Sequence, residues 1–316
     1  MSGSKARSQP KSFILPELLN RLSNNEALIG YLFILPSLIG FTIFFAYPAI
    51  RAVYISFLDW NLLTDAKYVG LDNYRTLFSD KRFSDSLQVT VLYVLWNIPL
   101  QTALAIFMAV MLERFSTTVS SIIRGIMILP WLMPNVVVAL LWLWILDPSI
   151  GLMNEFLKVV GIGKQPFMGS PSEAIQSIAG INIWRHVGYT SILIFAGLKT
   201  IPKSLYEAAA IDGAGELTQF RKITMPLLRP VLVFVLVTSV VGSFQVFDTV
   251  AVTTEGGPAG STRVIIYYIY QQVFERQIKM GLATAASVVL FSILITVTIV
   301  QMRLLRAGES DLADYQ

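Results

Sequence analysis

The chain has 316 residues, of which 54% are hydrophobic and only 14% are charged, and its formal net charge is +4. Soluble domains carry about 25% charged residues, so this balance excludes an ordinary water-soluble domain. The Lys and Arg residues are scattered without a long basic run, which argues against nucleic-acid binding. Because the chain has no cysteine, a disulfide framework, a thiol nucleophile and a thiolate metal site are excluded as well.

The first predicted element is a polar N-terminal tail, residues 1–26, which we expect to be cytoplasmic and partly disordered. An apolar run from Ala27 to Ile50 follows it without a charged side chain. This run exceeds the roughly 7 to 15 apolar residues of a cleaved signal peptide. It is therefore predicted to be retained as the first membrane span.

Further apolar runs predict a membrane domain over residues 27–306. A helix needs roughly 20 mainly apolar residues to cross a bilayer. Three later runs meet this requirement, whereas Arg185 and His186 interrupt a fourth and Asp248 closes a short fifth. We predict an all-α, polytopic transmembrane bundle of six spans, at about 27–50, 86–112, 125–146, 174–198, 228–248 and 280–302.

The predicted orientation places both termini in the cytoplasm, with residues 307–316 as a C-terminal tail. An even number of spans puts the two termini on one side of the membrane. That side carries slightly more Lys and Arg than the other side, as the positive-inside rule requires of cytoplasmic segments. The excess is small and indicates the orientation only weakly.

Prolines lie within or at the edge of several predicted spans. Each one removes a backbone donor and tends to kink its helix, so neighbouring helices or cavity water must satisfy the freed carbonyl groups. This pattern is typical of a bundle around a pathway, and bent packing without a pathway is the alternative. The prolines are Pro36, Pro48, Pro99, Pro130 and Pro134.

The segment 201–226, between the fourth and fifth predicted spans, has the pattern of two short helices around a glycine turn. Pro202 favours a helix start, and Gly213 favours its end because glycine tolerates backbone angles closed to other residues. A second helix is predicted from about Glu216 to Ile223, before Pro226 opens the next span. The segment is therefore a compact knob suited to insertion in a groove, or an amphipathic helix lying on the bilayer.

Specific residues in this segment resemble, at matching spacing, the EAA loop of binding-protein-dependent ABC importer permeases. Met225 departs from the family, which usually has Leu there, but the exchange conserves volume. The resemblance implies that the loop is cytoplasmic and couples the chain to an ATPase subunit. The coupling residues that carry it are Glu207, Ala208, Ala209, Asp212, Gly213, Phe220, Ile223 and Pro226.

Much of the remaining chain resembles the carbohydrate branch of that family, the maltose and glycerol-phosphate type. The stretch Val69–Tyr74 and the signature Thr254–Pro258, followed by Thr262 and Tyr270, carry this resemblance. It implies a permease subunit in the bacterial inner membrane that translocates a sugar or sugar derivative by alternating access. The implied partners are a second homologous permease, two ATPase subunits and a solute-binding protein.

The same resemblance implies that this chain is not an enzyme and holds no cofactor, since ATP and Mg²⁺ would be bound by the partner ATPase subunits. No phosphate-binding Gly-x-x-x-x-Gly-Lys-Ser/Thr motif occurs in the sequence. Paired carboxylates, a metal-ligand cluster and a nucleophile with its base are likewise missing from the predicted spans, which disfavours an intramembrane enzyme. No metal site is expected.

Polar side chains in the fourth and fifth predicted spans are the candidate substrate-binding residues, because polar groups at membrane depth usually face a cavity. Planar amide, carboxylate or guanidinium groups suit paired sugar hydroxyls, and an aromatic ring suits the apolar face of a pyranose. The candidates are Trp184, Arg185, His186, Tyr189, Ser243, Phe244, Gln245 and Asp248.

Structural and functional alternatives stay open at this point. Arg185 is long enough to reach the outer lipid headgroups. His186 is able to form a hydrogen bond between two helices, and Asp248 is able to mark the outer end of its helix. An ABC permease for a non-sugar solute is the nearer functional alternative. A secondary transporter coupled to protons through Asp248 or His186 is the more distant one, and the particular sugar is not indicated by the sequence.

Overall fold

The computed structural model describes residues 26–275 and 278–305 of the chain. The predicted C-terminal tail and all but the last residue of the predicted N-terminal tail lie outside the described residues. The chain divides into two compact units between Tyr54 and Ile55. The division lies just after the first predicted span.

The first unit is an apolar helical rod. Helix α1 (Glu26–Phe41) continues into a π-helical turn (Thr42–Ala46) and then into α2 (Tyr47–Ile55). Its large apolar side chains are exposed, including Phe33 and Phe44. An apolar surface of this extent suits a lipid environment.

The second unit is mostly helical, with one two-stranded antiparallel ribbon. Strands β1 (Leu58–Asp59) and β2 (Lys67–Tyr68) pair with Leu58 opposite Tyr68. Helices cover most of the remainder, with a 3-10 turn at Phe167–Gly169. They are α3 (Asp72–Ser79), α4 (Lys81–Arg114), α5 (Thr117–Leu132), α6 (Asn135–Ile145), α7 (Leu152–Val159), α8 (Ala174–Leu198), α9 (Lys203–Ile211), α10 (Glu216–Gln219), α11 (Met225–Leu227), α12 (Arg229–Phe244), α13 (Asp248–Thr253), α14 (Ile265–Tyr270) and α15 (Met280–Leu305), with π-helical segments at Phe220–Thr224 and Gln271–Glu275.

Helices long and apolar enough to cross a membrane confirm the prediction of a membrane-spanning helical protein. Within the described residues there are four of them, and a bent pair of helices makes a fifth if it is one span. The prediction of six spans stays a prediction, because α8 is not among these helices. The four are Ile29–Ile55, Lys81–Arg114, Arg229–Thr253 and Met280–Leu305.

The predicted third span, 125–146, is sharply bent near Pro134, and its assignment as one span stays a prediction. Helices α5 and α6 occupy this part of the chain and meet at an angle of 95°. Met133 between them has an extended backbone, since the ring of the following Pro134 disfavours the helical conformation at that position. Hydropathy is insensitive to this break because both halves are apolar.

The stretch Arg229–Thr253 covers the predicted fifth span, 228–248, and its helix is interrupted near the end of that span. Helix α12 ends at Phe244, and the chain turns through Gln245 before α13 begins at Asp248. Phe244, before the turn, lies in the apolar core, whereas Gln245 and Asp248 line the cavity described below.

Helix α8 is packed on several sides, against α4, α5, α6, α12 and α13. Its buried residues include polar ones such as Asn182 and Thr190. A helix enclosed by protein does not need the apolar surface of a lipid-facing span. This position in the bundle accounts for the polar composition of α8.

Close contact between α8 and α5 depends on Gly188. A Cβ atom at this position would overlap the backbone carbonyl of Met127, whereas one at Gly180 on the same helix would meet nothing. We expect Gly188→Ala to destabilise the protein by about 3 kcal/mol, since backbone cannot yield as a side chain does. Thermal unfolding in detergent checks this, with Gly180→Ala as the matched control; equal unfolding temperatures for both variants would contradict it.

Candidate functional site

A cavity of about 300 Å³ lies among α4, α8, α12, α13 and the junction of α5 with α6. Its lining is rich in amides and hydroxyl groups, with a few aromatic and aliphatic side chains. Arg185 and Asp248 are the lining residues that carry opposite formal charges. The lining residues are Tyr93, Asn97, Gln101, Trp131, Asn135, Asn182, Arg185, His186, Tyr189, Thr190, Leu193, Val235, Thr238, Ser239, Gly242, Ser243, Gln245, Val246, Phe247, Asp248 and Thr249.

Two buried amides on α4 form one wall of the cavity. The Asn97 amide donates to Oγ of Ser243 at 2.8 Å, and the Gln101 amide donates to Oγ1 of Thr190 at 3.0 Å. The Asn97 side-chain oxygen is buried and has no hydrogen-bond partner among the described residues. It is therefore a buried acceptor that no described group satisfies.

Our sequence reasoning missed Asn97 and Gln101, because it considered only the fourth and fifth predicted spans. A signal was present in the sequence. Two amides four residues apart lie on one face of an otherwise apolar helix, and amides at membrane depth are costly unless they meet a partner or a cavity.

Arg185 binds the broken end of α5. Its Nη2 donates to the carbonyl oxygens of Trp131 at 3.2 Å and Met133 at 3.1 Å. The last carbonyls of a helix lack partners within that helix, so a guanidinium placed there satisfies them. Arg185 thus holds the junction of α5 and α6 in place. The guanidinium bonds to these backbone carbonyls, which differs from the alternative in which Arg185 reaches the lipid headgroups.

His186 is held as the neutral imidazole. Its Nε2 lies 3.0 Å from Nη1 of Arg185, and its Nδ1 lies 2.8 Å from the carbonyl oxygen of Asn182. A guanidinium only donates, so Nε2 must accept and Nδ1 must carry the proton that Asn182 accepts.

Asp248 joins α13 to the start of α6. Its Oδ2 accepts a hydrogen bond of 2.6 Å from the Asn135 amide, and the neighbouring Thr249 hydroxyl contacts Oδ1 of Asn182 at 3.4 Å. These contacts fasten the short helix α13 to both α6 and α8. Together with Arg185 they form a polar network across one end of the cavity.

An aromatic pair forms another part of the lining. The rings of Trp131 and Tyr189 stack with centroids 4.5 Å apart and planes inclined by 8°. Two other aromatic candidates lie elsewhere: Trp184 is exposed and packs edge-on against Trp142, and Phe244 is buried in the apolar core. The structure therefore brings together Arg185, His186, Tyr189, Ser243, Gln245 and Asp248 from the predicted set.

Arg185 offers a test of the junction. We expect Arg185→Met to lower the free energy of unfolding by about 2 kcal/mol, because two carbonyl groups lose a charged donor within a nonpolar environment. Chemical unfolding of the purified protein measures this. Arg185→Lys keeps the charge but lacks the planar fork, so it should give an intermediate loss. If Arg185→Met unfolds like the unaltered protein, the junction does not depend on this residue.

Residues 201–226, which we call the glycine-turn segment, lie near the C-terminal end of α4, where Arg114 pairs with Glu216. Helix α9 spans Lys203–Ile211, and the chain reverses at Gly213, where φ is +76°. A residue with a Cβ atom is strained at that angle, which explains the glycine. The helix bounds agree with the predicted start and end of the first short helix.

Two hydrogen bonds brace this segment internally, and an ion pair links it to α4. The hydroxyls of Tyr206 and Thr224 lie 2.9 Å apart, and the Gln219 amide donates to the Ala214 carbonyl at 2.8 Å. Arg114, at the end of α4, pairs with Glu216 at 2.6 Å. The segment is therefore a braced knob and not a loose loop.

The predicted coupling residues fall into two groups. Ala209, Phe220 and Ile223 are half-buried, and Ile223 packs against an apolar cluster that includes Leu198 and Leu228. The others face outward, and so do the large apolar side chains of Ile211 and Leu217. The outward-facing coupling residues are Glu207, Ala208, Asp212, Gly213 and Pro226.

Known proteins are similar to this chain in sequence and in fold. The family described as binding-protein-dependent transport system inner membrane component matches residues 101–308. The trehalose/maltose transport system permease protein MalF of Thermococcus litoralis is 33% identical, over 90% of this chain and 96% of its own length. The sulfoquinovosyl glycerol transport system permease protein SmoG of Agrobacterium fabrum is 32% identical, over 93% and 96%.

A solved structure is similar over nearly the whole chain. It is the crystal structure of a bacterial ABC transporter involved in the import of the acidic polysaccharide alginate, with a TM-score of 0.79 and 24% identity. The alignment covers 93% of this chain and 100% of the other. The family match and the relatives together show that this chain belongs to the family of binding-protein-dependent transport system inner membrane components.

Proposed function

We propose that this chain is a transmembrane permease subunit of an ATP-driven ABC importer for a sugar or sugar derivative. A periplasmic or extracellular solute-binding protein delivers the solute. A second homologous permease completes the pathway, and two ATPase subunits bind ATP and Mg²⁺. The chain itself hydrolyses nothing and needs no cofactor of its own.

The cavity is the observation that carries the sugar assignment. Amides and hydroxyls, including those of Asn97, Gln101 and Asn135, outnumber charged groups in its lining. Such groups exchange hydrogen bonds with a polyhydroxylated solute, and the Trp131–Tyr189 stack offers an apolar face nearby. Arg185 and Asp248 give the lining one charged group of each sign.

The relatives support the same solute class. The name of MalF specifies trehalose and maltose, and the name of SmoG specifies sulfoquinovosyl glycerol. A third relative, UgpA of Escherichia coli, is named as a transport system permease protein for sn-glycerol-3-phosphate. These solutes are sugars, a sugar conjugate and a phosphorylated polyol. A solute of that class suits the size and the polar lining of the cavity.

The glycine-turn segment supports the coupling assignment. We infer that the exposed residues of α9, with Gly213 at its end, insert in a cleft on an ATPase subunit. Internal hydrogen bonds and packing make this segment stiff, so a movement imposed on it is passed to α4 and α8. This role requires the segment and both termini to be cytoplasmic, and it favours six spans including α8.

Reconstitution of the purified complex in vesicles tests the proposal. With its ATPase subunits, its second permease and its binding protein, the complex is expected to import a labelled saccharide only when ATP is supplied. Maltose, trehalose and sulfoquinovosyl glycerol form a suitable first panel. Uptake driven by a proton gradient without the ATPase subunits would contradict the proposal.

A further inference from the structure

Aromatic side chains continue outward from the cavity in a row. The Phe247 ring lies 5.1 Å from that of Tyr270, which lies 5.0 Å from that of Phe274. Tyr267 stands beside the row, 5.9 Å from Tyr270 and 6.3 Å from Phe247. We call Phe247, Tyr267, Tyr270 and Phe274 the aromatic row.

The row begins at the cavity and leads away from the glycine-turn segment. Phe247 lines the cavity. The backbone N–H of Ile265, at the start of α14, donates to Thr90 on α4, and the Tyr268 hydroxyl donates to Asp80 at the beginning of α4. Arg114, at the other end of α4, pairs with Glu216 of the glycine-turn segment. Helix α14 therefore runs toward the end of α4 that lies farther from this segment.

Exposure increases along the row. Phe247 and Tyr270 are half-buried, and Phe274 is 71% exposed. Tyr267 is 3% exposed and packs against the rings of Phe247 and Tyr270. The row therefore presents ring surface from the cavity to the outside of the second unit.

Polar groups flank the rings. Glu275 accepts from the Tyr267 hydroxyl at 2.8 Å and from the Gln271 amide at 2.9 Å. Burial and the Glu275 carboxylate raise the pKa of the Tyr267 hydroxyl, which keeps it protonated as a donor. A carboxylate and an amide held beside aromatic faces suit a sugar, whose hydroxyls need planar polar groups and whose ring face is apolar.

We propose that the aromatic row is a second saccharide-binding site, outside the cavity, on which a sugar released by the binding protein stacks before it moves inward. This inference rests on the proposed import of sugars. Its physical basis is that neighbouring rings with centroids about 5 Å apart offer a solute one stacking partner after another. A sugar held on the row does not diffuse back outside before the transporter closes.

The experiment compares sugar import with ATP hydrolysis in the reconstituted complex. Tyr270→Ala and Phe274→Ala should each lower uptake of maltose, trehalose or sulfoquinovosyl glycerol about five-fold, the ratio expected from losing one stacking contact. The stimulation of ATP hydrolysis by loaded binding protein should be unchanged, because the ATPase cycle still runs. Fewer sugar molecules are then imported for each ATP hydrolysed.

Conservative variants and a matched control make the result specific. Tyr270→Phe and Phe274→Trp keep the ring faces and should transport like the unaltered complex. Phe291→Ala removes a similarly exposed ring from α15, away from the row, and should have no effect. An aromatic belt at the membrane surface would make all three alanine variants behave alike, which would overturn the inference.

Three further outcomes are decisive. If uptake and stimulated ATP hydrolysis fall together in the row variants, the rings contact the binding protein and the inference is wrong. If the unaltered complex hydrolyses ATP with loaded binding protein but imports no saccharide of the panel, the proposed function itself fails. If it imports sugar and the row variants match Phe291→Ala, only the second site is refuted.

Discussion

Replacing Glu207 by alanine is expected to reduce ATP-driven uptake more than about ten-fold while the complex still inserts and assembles. The Glu207 side chain is exposed on α9 and makes no hydrogen bond or ion pair to any other described residue of this chain. A charge displayed on a braced knob is suited to a partner of opposite charge. Truncating one member of such a buried interfacial pair costs roughly 2 to 5 kcal/mol, enough for this loss.

The matched control for Glu207 is Glu216→Ala, the same change on the same segment. Glu216 already pairs with Arg114 within this chain, and both side chains are largely exposed, so the pair contributes little. Uptake by Glu216→Ala should stay within about two-fold of the unaltered complex. Equal uptake by the two variants would show that Glu207 has no special part in coupling.

Replacing Tyr189 by alanine should lower sugar uptake about ten-fold with the complex intact and its basal ATP hydrolysis unchanged. The exchange removes a ring stacked on Trp131 at 4.5 Å and opens the cavity wall. Loss of an aromatic contact and of the apolar area it buries is worth about 1 to 2 kcal/mol. Uptake measured at low concentrations of loaded binding protein gives the effect.

The control for Tyr189 separates the ring from the hydroxyl. Tyr189→Phe retains the stack with Trp131 and should retain most of the uptake. A large loss with Tyr189→Phe would mean that the hydroxyl, and not the ring face, contacts the solute. Normal uptake by Tyr189→Ala would remove Tyr189 from the candidate site.

Local signals in the sequence predicted the glycine-turn segment well. Pro202 precedes α9, and Gly213 has the positive φ that its position after the helix suggested. These signals depend on backbone preferences of single residues, which act locally whatever the rest of the fold does. The cytoplasmic position of the segment and its ATPase partner stay predictions.

The cavity was harder to predict because it depends on how helices meet. Spacing along one continuous helix placed Phe244 with Ser243 and Asp248, but the chain turns at Gln245 and leaves Phe244 in the apolar core. Likewise, the 95° angle between α5 and α6 brings Trp131 and Asn135 to the cavity. Hydropathy and periodicity describe single helices and carry no information about such breaks.

Cross-linking from the glycine-turn segment tests the coupling most directly. The chain has no cysteine, so a single introduced thiol reports one position without a background. Ile211, at the end of α9, is 88% exposed, and Leu63, near the ribbon of β1 and β2, is 82% exposed. In the assembled complex, with a maleimide–benzophenone reagent that bonds to the introduced thiol and, on irradiation, to a C–H group of any adjacent chain, Ile211→Cys should form a covalent product with an ATPase subunit and Leu63→Cys should not. A product from Leu63→Cys alone, or from neither variant, would contradict the coupling of this chain to its ATPase through that segment.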